Sequence, residues 1–164
     1  GRDQRPVVNV SLFDAKAYAE WLSAQTQRRY RLPSEAEWEI AATAGDKQNY
    51  WWGDEIGSNN ANCINCGSQW DGDETAPIHS FKPNAFGLYD TAGNVMEWVE
   101  DCVHTSYLGA PTSGEGWTGG DCSQNIVRGG AYDSTADELR TTKRLYFPSS
   151  SRINGLGFRL IRER

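Results

Sequence analysis

The sequence predicts an α+β domain in which two helices and a few short strands are connected by long loops. Two segments near the start have helical periodicity, apolar segments typical of strands occur mainly near the end, and the long middle has neither period. The 164 residues include 17 Gly, 7 Trp, 7 Tyr and 5 Phe. This composition indicates a loop-rich fold held in place by large aromatic side chains, and the length fits one domain spanning residues 1–164.

The first predicted helix begins after Ser11, which can form a capping box with Asp14. Apolar residues then recur at the spacing of one helix face, and these are Ala15, Tyr18, Ala19 and Leu22. Trp21 lies beside them, so we expect a wide buried stripe on this helix.

The second predicted helix begins after Ser34, with Glu37 as its partner in another capping box. Its buried face is expected to consist of Trp38, Ala41 and Ala42. Gly45 suits the left-handed conformation in which many helices end, so we expect the helix to stop there.

Strands are predicted at three apolar segments, and a fourth is read as short extended or mixed structure. The strands are Val7–Val10, Ile126–Tyr132 and Leu156–Ile161, and the mixed segment is Leu139–Tyr146. No period is sustained between Asp46 and Asn125, and so long an irregular stretch is uncommon in a compact domain. Metal ions, disulfides and buried tryptophans are the candidate cross-links.

The cysteines are Cys63, Cys66, Cys102 and Cys122. We favour the pairs Cys63–Cys66 and Cys102–Cys122, because each closes a local irregular segment, although the sequence alone does not choose a connectivity. Four reduced and partly buried thiols are an equal alternative. A zinc site is the least favoured reading, since only His79 and His104 could complete it.

Composition argues against several classes of function. The net charge is −6 and the pI is about 4.9, so phosphate backbones would be repelled and nucleic acid is not an expected partner. No apolar segment is long enough to span a membrane, and no G-x-S-x-G motif is present. The abundant Asp and Glu residues allow no informative choice of a catalytic carboxylate pair.

The segment Pro83–Asp101 combines several carboxylates with aromatic and aliphatic residues. It must therefore bury charge together with apolar surface, and an unpaired buried charge is costly. A bound cation or a set of buried arginines would stabilise these carboxylates.

Six short motifs occur in a fixed order along the chain. They are Arg31-Leu-Pro-Ser-Glu-Ala-Glu-Trp38, Trp52-Gly-Asp54, Gly87-Leu-Tyr-Asp90, Gly93-Asn-Val-Met-Glu-Trp98, Arg128-Gly-Gly130 and Gly157-Phe-Arg159. In this order they resemble the formylglycine-generating enzyme (sulfatase-modifying factor) family, from about Pro6 to Arg162. The resemblance implies a variant of the C-type lectin fold, with two helices, small twisted antiparallel sheets and rigid irregular loops.

The resemblance also implies structural calcium, since this family typically binds a pair of calcium ions. The first site would use the side chains of Asp90 and Glu97 and the carbonyls of Gly93 and Val95. These are the hard oxygen ligands that Ca²⁺ takes. The alternative is that Asp90 and Glu97 pair with arginine and bind no metal, the candidates being Arg128, Arg144 and Arg159.

The second calcium site implied by the resemblance would use Asn62, the carbonyl of Cys63, and Asp71 or Asp73. Its acidic end is displaced by about a residue from the family pattern. For this site we weigh calcium and no metal equally.

The enzymes of this family use two cysteines just after a Gly-Gly-Ser/Ala-Tyr/Trp motif to hold copper. The matching segment here is Gly129–Leu139, and it contains no cysteine. Soft Cu(I) requires thiolate ligands, and neither Ser134 nor Thr135 can replace them. We therefore do not expect formylglycine generation and assign no catalytic residue.

We expect a non-catalytic binding or interaction module that recognises a protein or small-molecule ligand through its 131–154 loops. The candidate ligand-binding residues are Tyr132, Ser134, Thr135, Tyr146, Ser149, Ser151 and Asn154. Short polar side chains there suit adaptable hydrogen bonding. Special versions are the variable protein of a diversity-generating retroelement and an appendage of a signalling protein such as a kinase or protease.

The alternative function is a metal-dependent oxidoreductase of the same family, similar to relatives in siderophore maturation or sulfoxide synthesis. Its ligands would come from His79, His104 and carboxylates, which form no recognisable set. Family members also usually have further strands before the first helix. Leu156–Ile161 would then lack a neighbour unless Val7–Val10 or another chain pairs with it. We therefore expect the C-terminal part of a longer protein, or a subunit of a complex.

Overall fold

The computed structural model describes residues 4–163. Its elements are α1 (Leu12–Thr26), β1 (Tyr30–Arg31), α2 (Glu35–Thr43), β2 (Met96–Cys102), β3 (Gln124–Arg128), a short 3-10 helix (Ala136–Leu139), β4 (Leu145–Pro148), β5 (Leu156–Gly157) and β6 (Ile161–Arg162). Two helices, short strands and long loops confirm the predicted α+β class. Within residues 4–163 no helix combines the length and the apolar character that a membrane span needs.

The central sheet has the strand order β4-β3-β2-β5. β3 is antiparallel to both β2 and β4, whereas β5 runs parallel to β2 with Met96 opposite Leu156. A second, two-stranded sheet pairs β1 with β6 in antiparallel register. Both sheets are therefore small, as expected. The two-stranded sheet is antiparallel as predicted, but the central sheet is mixed, because β5 runs parallel to β2.

A helix packs on each face of the central sheet, so alternate residues of β2 and β3 face opposite helices. The cluster on the α1 side comprises Leu12, Ala15, Leu32, Met96, Trp98, Val127, Ala131 and Leu156. The cluster on the α2 side comprises Trp38, Ala42, Val99 and Ile126. A third cluster lies under the loops and comprises Tyr50, Ala61, Cys63, Cys66, Ala92 and Leu139. Each large apolar side chain that is buried in this way contributes about 1.5–3 kcal/mol.

Both predicted helix starts are confirmed. The Ser11 hydroxyl accepts the Asp14 N–H (3.2 Å), and the Asp14 carboxylate accepts the Ser11 N–H (2.8 Å). Ser34 and Glu37 form the same reciprocal pair at 3.1 and 2.8 Å. Gly45 has a φ of 88°, as expected for the residue after a helix.

The wide buried stripe predicted for α1 is wrong. Tyr18 and Trp21 are 46% and 54% exposed, and Leu22 is half-buried. The Tyr18 ring contacts the rings of Trp21 and Phe158, with centroids 5.5 and 5.8 Å apart. The helix is in contact with the sheet through Leu12 and Ala15, which leaves the larger rings at the rim. On α2, Trp38 and Ala42 are buried as expected, and Ala41 is half-buried.

The segment Val7–Val10 is not a strand. One backbone bond, from the Asn9 N–H to the Ile153 carbonyl (3.1 Å), fixes it to the end of the chain. The Val7 carbonyl passes so close to Gly157 that a Cβ there would lie 2.4 Å from its oxygen. The segment therefore lies against β5 without forming a ladder with it.

The other predicted strands have different bounds. The strand predicted at Ile126–Tyr132 ends at Arg128, because Gly129 and Gly130 turn the chain with φ of 93° and 70°. Of the segment Leu139–Tyr146, only Leu139 lies in the 3-10 helix and only Leu145 and Tyr146 lie in β4, while residues 140–144 form a turn between them. The strand at Leu156–Ile161 divides into β5 and β6, which pair with β2 and β1 inside the same chain.

Buried asparagine side chains form hydrogen bonds with backbone groups that the helices and strands leave without partners. The Asn84 amide donates to the carbonyls of Ala41 and Ala42 (2.7 and 3.2 Å), which lie in the last turn of α2. Its oxygen accepts the N–H groups of Phe86 and Leu88. The other members of this set are Asn62, Asn94 and Asn125, each at most 1% exposed.

Disulfides are the second kind of cross-link. Cys63 is bonded to Cys66, and Cys102 to Cys122, as the favoured pairing predicted. The second bond joins the end of β2 to the segment before β3, so it closes the long loop between them.

We expect Asn84→Ala to lower the free energy of unfolding by about 3 kcal/mol, because the carbonyls at the end of α2 lose their donor in a buried position. Urea denaturation monitored by tryptophan fluorescence measures the loss. The matched control is Asn154→Ala, whose exposed amide oxygen accepts from the Asn9 side chain, with a loss below about 0.5 kcal/mol. Equal losses in the two variants would contradict a role for Asn84 in holding the loops.

Candidate functional site

The Glu97 carboxylate is paired with an arginine in the core of the domain. Glu97 is 4% exposed. It accepts the Trp38 indole N–H at 2.6 Å and binds both the Nε and the Nη2 groups of Arg159, the latter at 2.6 Å. Of the three arginines considered from the sequence, Arg159 is thus the partner of Glu97. This contact links β2, α2 and the segment between β5 and β6.

The Asp90 carboxylate lies beside the Glu97–Arg159 pair, but it is only partly hydrogen-bonded. Its Oδ2 accepts the His79 N–H at 3.4 Å, while its buried Oδ1 has no hydrogen-bond partner among the described residues. Burial raises the pKa of Asp90. The backbone of Asp90 has a φ of 55°, which is uncommon for a residue with a side chain.

Asp90 and Glu97 both line a cavity of about 430 Å³, together with Val95 and Arg159. The Gly93 carbonyl accepts the Val95 N–H at 2.9 Å across a tight turn. Three residues of the first predicted calcium set, Asp90, Val95 and Glu97, therefore line one cavity, whereas Gly93 is not among its lining residues.

The residues of the second predicted set are engaged in other contacts. The Asp71 carboxylate accepts the N–H groups of Asn65 (2.6 Å) and Gly67 (2.8 Å), and so closes a turn. The Asn62 side chain accepts from Ser68 and donates to the Glu74 carbonyl. The Cys63 carbonyl accepts the Cys66 N–H, and Asp73 is exposed. Across residues 4–163 no three His, Cys, Asp or Glu side chains gather closely enough to hold a metal ion.

The candidate ligand-binding residues divide by exposure. Ser134 and Ser149 are buried: Ser134 Oγ accepts the Ala131 N–H, and Ser149 Oγ donates to Asn125 and to the Cys122 carbonyl. Their hydroxyls hold turns together and do not face solvent. The residues with exposed or half-exposed surface are Tyr132, Thr135, Tyr146, Ser151 and Asn154.

A buried charge network that the sequence did not reveal lies at the start of α2. Glu35, 5% exposed, accepts from Arg128 Nη1 at 2.8 Å and from Arg144 Nε and Nη2 at 2.7 and 2.9 Å. Arg128 also donates to Glu39 and to the Thr141 carbonyl, and its guanidinium lies over the Trp38 ring. These partners are 93 and 109 residues apart in the chain, so no local spacing could have paired them.

Next to this network is a cavity of about 460 Å³ between the outer face of α2 and the 107–117 loop. Asp101 forms part of its lining, and its carboxylate accepts the backbone N–H groups of Glu35 (2.7 Å) and Trp117 (3.0 Å). Burial raises the pKa of Asp101. Thr141 and Thr142 are the residues of the 131–154 segment that reach this cavity.

A small mixed sheet with one helix on each face, and loops held by buried side chains, define a C-type-lectin-like α+β domain. The model of the family described as "Sulfatase-modifying factor enzyme 1-like domain" matches residues 1–164. The chain therefore belongs to this family, as its motifs indicated.

Relatives and solved structures agree with this assignment. The chain is 36% identical to the formylglycine-generating enzyme of Streptomyces coelicolor over 97% of its own length and 53% of the enzyme. It is 37% identical to the serine/threonine-protein kinase pkn1 of Chlamydia pneumoniae over 88% of the chain and 22% of the kinase. The structure of PvdO from Pseudomonas aeruginosa superimposes with a TM-score of 0.92 at 38% identity, covering 98% of this chain and 63% of PvdO.

The chain thus spans about half of the length of the Streptomyces enzyme and less than a quarter of the kinase. A domain of this family therefore occurs as a part of longer polypeptides, among them a kinase.

We expect Arg159→Met to lower the free energy of unfolding by about 3 kcal/mol, because Glu97 would stay buried without its counter-ion. The matched control is Arg152→Met, which removes the exposed pair with Asp14, with a loss below about 1 kcal/mol. Chemical denaturation of both variants measures the difference. A loss in Arg159→Met as small as in the control would show that the Glu97 pair does not hold the fold.

Proposed function

We propose that this chain is a non-catalytic binding domain of the sulfatase-modifying factor family that does not generate formylglycine. The observation that carries the proposal is the state of its thiols: all four cysteines are in disulfides, and the 129–139 segment has none. Copper chemistry of the family type needs free thiolates in that segment. In their place, Ser134 is buried and closes a turn.

The proposed ligand surface consists of the exposed and half-exposed residues of the 131–154 loops. Rigid contacts hold it in place: the Tyr132 N–H donates to the Asn94 carbonyl at 3.0 Å, and the Gly93 N–H donates to the Gly129 carbonyl at 2.8 Å. Polar and aromatic side chains on a fixed backbone lose little entropy on binding. The similarity to a segment of a kinase supports a role as an attached interaction module.

The second part of the proposal is a structural calcium ion at the first predicted site only, which consists of Asp90, Gly93, Val95 and Glu97. The buried Oδ1 of Asp90 has no donor, and Glu97 Oε1 accepts one bond from Arg159 and keeps a second lone pair. With the carbonyls of Gly93 and Val95, these oxygens suit a hard cation. When bound, the ion would supply the missing charge partner of Asp90 and fix the loop. Asp71 and Asn62 have other partners, so we do not propose the second site.

The oxidoreductase remains the second candidate, and one observation favours it. The Cys63–Cys66 disulfide lies in the same cluster as Leu139, and the Ile64 N–H donates to the Ser134 carbonyl at 2.9 Å. Reduction would therefore place two thiols under the 131–139 segment, where they could ligate a soft metal. His79 and His104 do not assist, because they lie in separate parts of the domain: the His79 ring packs at a tilt against Tyr89, and the His104 ring stacks on Trp117.

We expect the dialysed protein to retain no stoichiometric iron or copper, and to leave a sulfatase-type cysteine peptide unconverted when copper and oxygen are supplied. Elemental analysis and peptide mass spectrometry measure the two outcomes. The assay is repeated after reduction, with Cys63→Ser as the matched variant. Peptide oxidation that requires reduction and is lost in Cys63→Ser would establish the oxidoreductase instead.

We expect added calcium to raise the melting temperature and EDTA to lower it, because a ligand that binds only the native state stabilises it. Asp90→Asn should abolish the calcium effect by removing the carboxylate charge. Asp73→Asn is the control and should leave the effect intact, since Asp73 is exposed and outside the loop. An unchanged melting temperature in EDTA would refute structural calcium.

A further inference from the structure

The cavity beside α2 is a site of ligand size that none of the predicted binding residues lines. Its volume of about 460 Å³ falls in the range of small-molecule pockets. Apolar surface comes from Ala36 and Ile40 on the outer face of α2, and from Tyr107, Pro111 and Trp117 on the facing loop. The walls can therefore contact the hydrocarbon part of a small organic ligand.

Carboxylates dominate the polar lining of this cavity. They are Glu35, Glu39, Asp46, Asp101 and Glu115, and Lys47 is the cation among the lining residues. Arg128 and Arg144 lie behind Glu35 and neutralise it. Counting all of these groups, five anions face three cations, so the cavity carries excess negative charge.

The individual carboxylates show where that excess lies. Asp101 accepts two backbone N–H groups, and no cation of residues 4–163 lies within hydrogen-bond distance of it. Glu39 engages Arg128 through Oε2, and its side chain is 39% exposed. Glu115 is exposed at the rim and forms no ion pair among the described residues. The lining around a cation bound in the cavity would therefore include the carboxylates of Glu39 and Glu115.

We propose that this cavity binds an organic cation: an alkylammonium or guanidinium group on an aliphatic chain. The chain would pack on Ile40 and Pro111, and the charge would be stabilised by Glu39 and Glu115. A phosphate or carboxylate ligand is excluded by like charge. A metal ion is a poorer match, because the carboxylates line the cavity without converging on one point. The cation belongs either to a free amine or to a lysine or arginine side chain of a partner.

The facing wall of the cavity is fixed before any ligand binds. The Cys102–Cys122 disulfide closes the loop that contains the wall. The Cys102 N–H donates to the Trp117 carbonyl at 3.0 Å, and the Ser34 hydroxyl donates to the Gly114 carbonyl at 2.6 Å. The Arg144 guanidinium lies 4.6 Å from the centre of the Tyr107 ring. Binding therefore requires little ordering of this loop, which favours affinity.

Isothermal titration of the full chain with agmatine, cadaverine and acetyl-lysine-amide tests the proposal, with pentanediol as the neutral match. We expect saturable binding of the cations that weakens as salt rises, and at least about tenfold weaker binding of pentanediol. Tighter binding of acetyl-lysine-amide than of cadaverine would identify a side chain of a partner as the source, and the reverse order a free amine. Equal binding of pentanediol, or no saturable binding of any cation, would overturn the proposal.

Variants locate the site. Glu115→Gln removes an exposed charge with no ion pair, so the fold is retained and we expect agmatine to bind about fivefold more weakly. Glu20→Gln on the exposed side of α1 is the control and should bind as the parent does. An unchanged affinity in Glu115→Gln, or an equal loss in Glu20→Gln, would contradict this placement.

The double variant Cys102→Ser, Cys122→Ser releases the wall and should weaken agmatine binding at least about tenfold. Unchanged binding in this variant would show that the 107–117 loop is not the wall. None of these outcomes depends on calcium or on the candidate ligand-binding residues of the 131–154 segment, none of which lines this cavity, so the proposed function can fail while this site stands.

Discussion

A chain that forms so little regular structure must find other partners for the backbone groups that it buries. Buried peptide groups without hydrogen bonds would cost more than the small net stability of a domain allows. Here the partners are side chains, chiefly four buried asparagines. An asparagine amide both donates and accepts, so it can replace a strand neighbour: Asn94 pairs with the N–H and the carbonyl of Ala76 in this way. These hydrogen bonds hold the loops to the rest of the fold.

Charged groups make longer connections of the same kind. Glu97 joins Trp38 of α2 to Arg159 near the end of the chain, and Glu35 joins α2 to Arg128 and Arg144. Ion pairs buried to this degree add little net stability compared with apolar packing. They do penalise any arrangement in which one partner is buried alone, and so they specify how the first third of the chain meets the last. Asp90, next to this network, is the exception that suggests a bound cation.

This construction separates the frame from the surfaces that bind ligands. The frame consists of the central sheet, the two helices and the buried polar contacts, and its backbone is similar to that of PvdO. The exposed side chains of the 131–154 loops take little part in it, and neither does the exposed Glu115 at the rim of the cavity beside α2. Such surfaces can change without loss of the fold, and a domain of this kind can therefore be attached to a longer protein and bind a different partner there.

The sequence by itself determined what depends on local or ordered patterns: both capping boxes, and a family defined by motifs in order. It favoured the disulfide pairs that the structure contains, but it did not decide between them and four reduced thiols. It missed β2, because a strand buried on both faces has no alternation. It also continued the strand that begins near Ile126 past Gly129, and it joined β5 and β6 into one strand. Only the tertiary structure decided that Ser134 and Ser149 are buried, that Glu97 pairs with Arg159, and that a cavity forms between α2 and the 107–117 loop. These features depend on contacts between residues far apart in the chain, and such contacts leave no periodicity in the sequence.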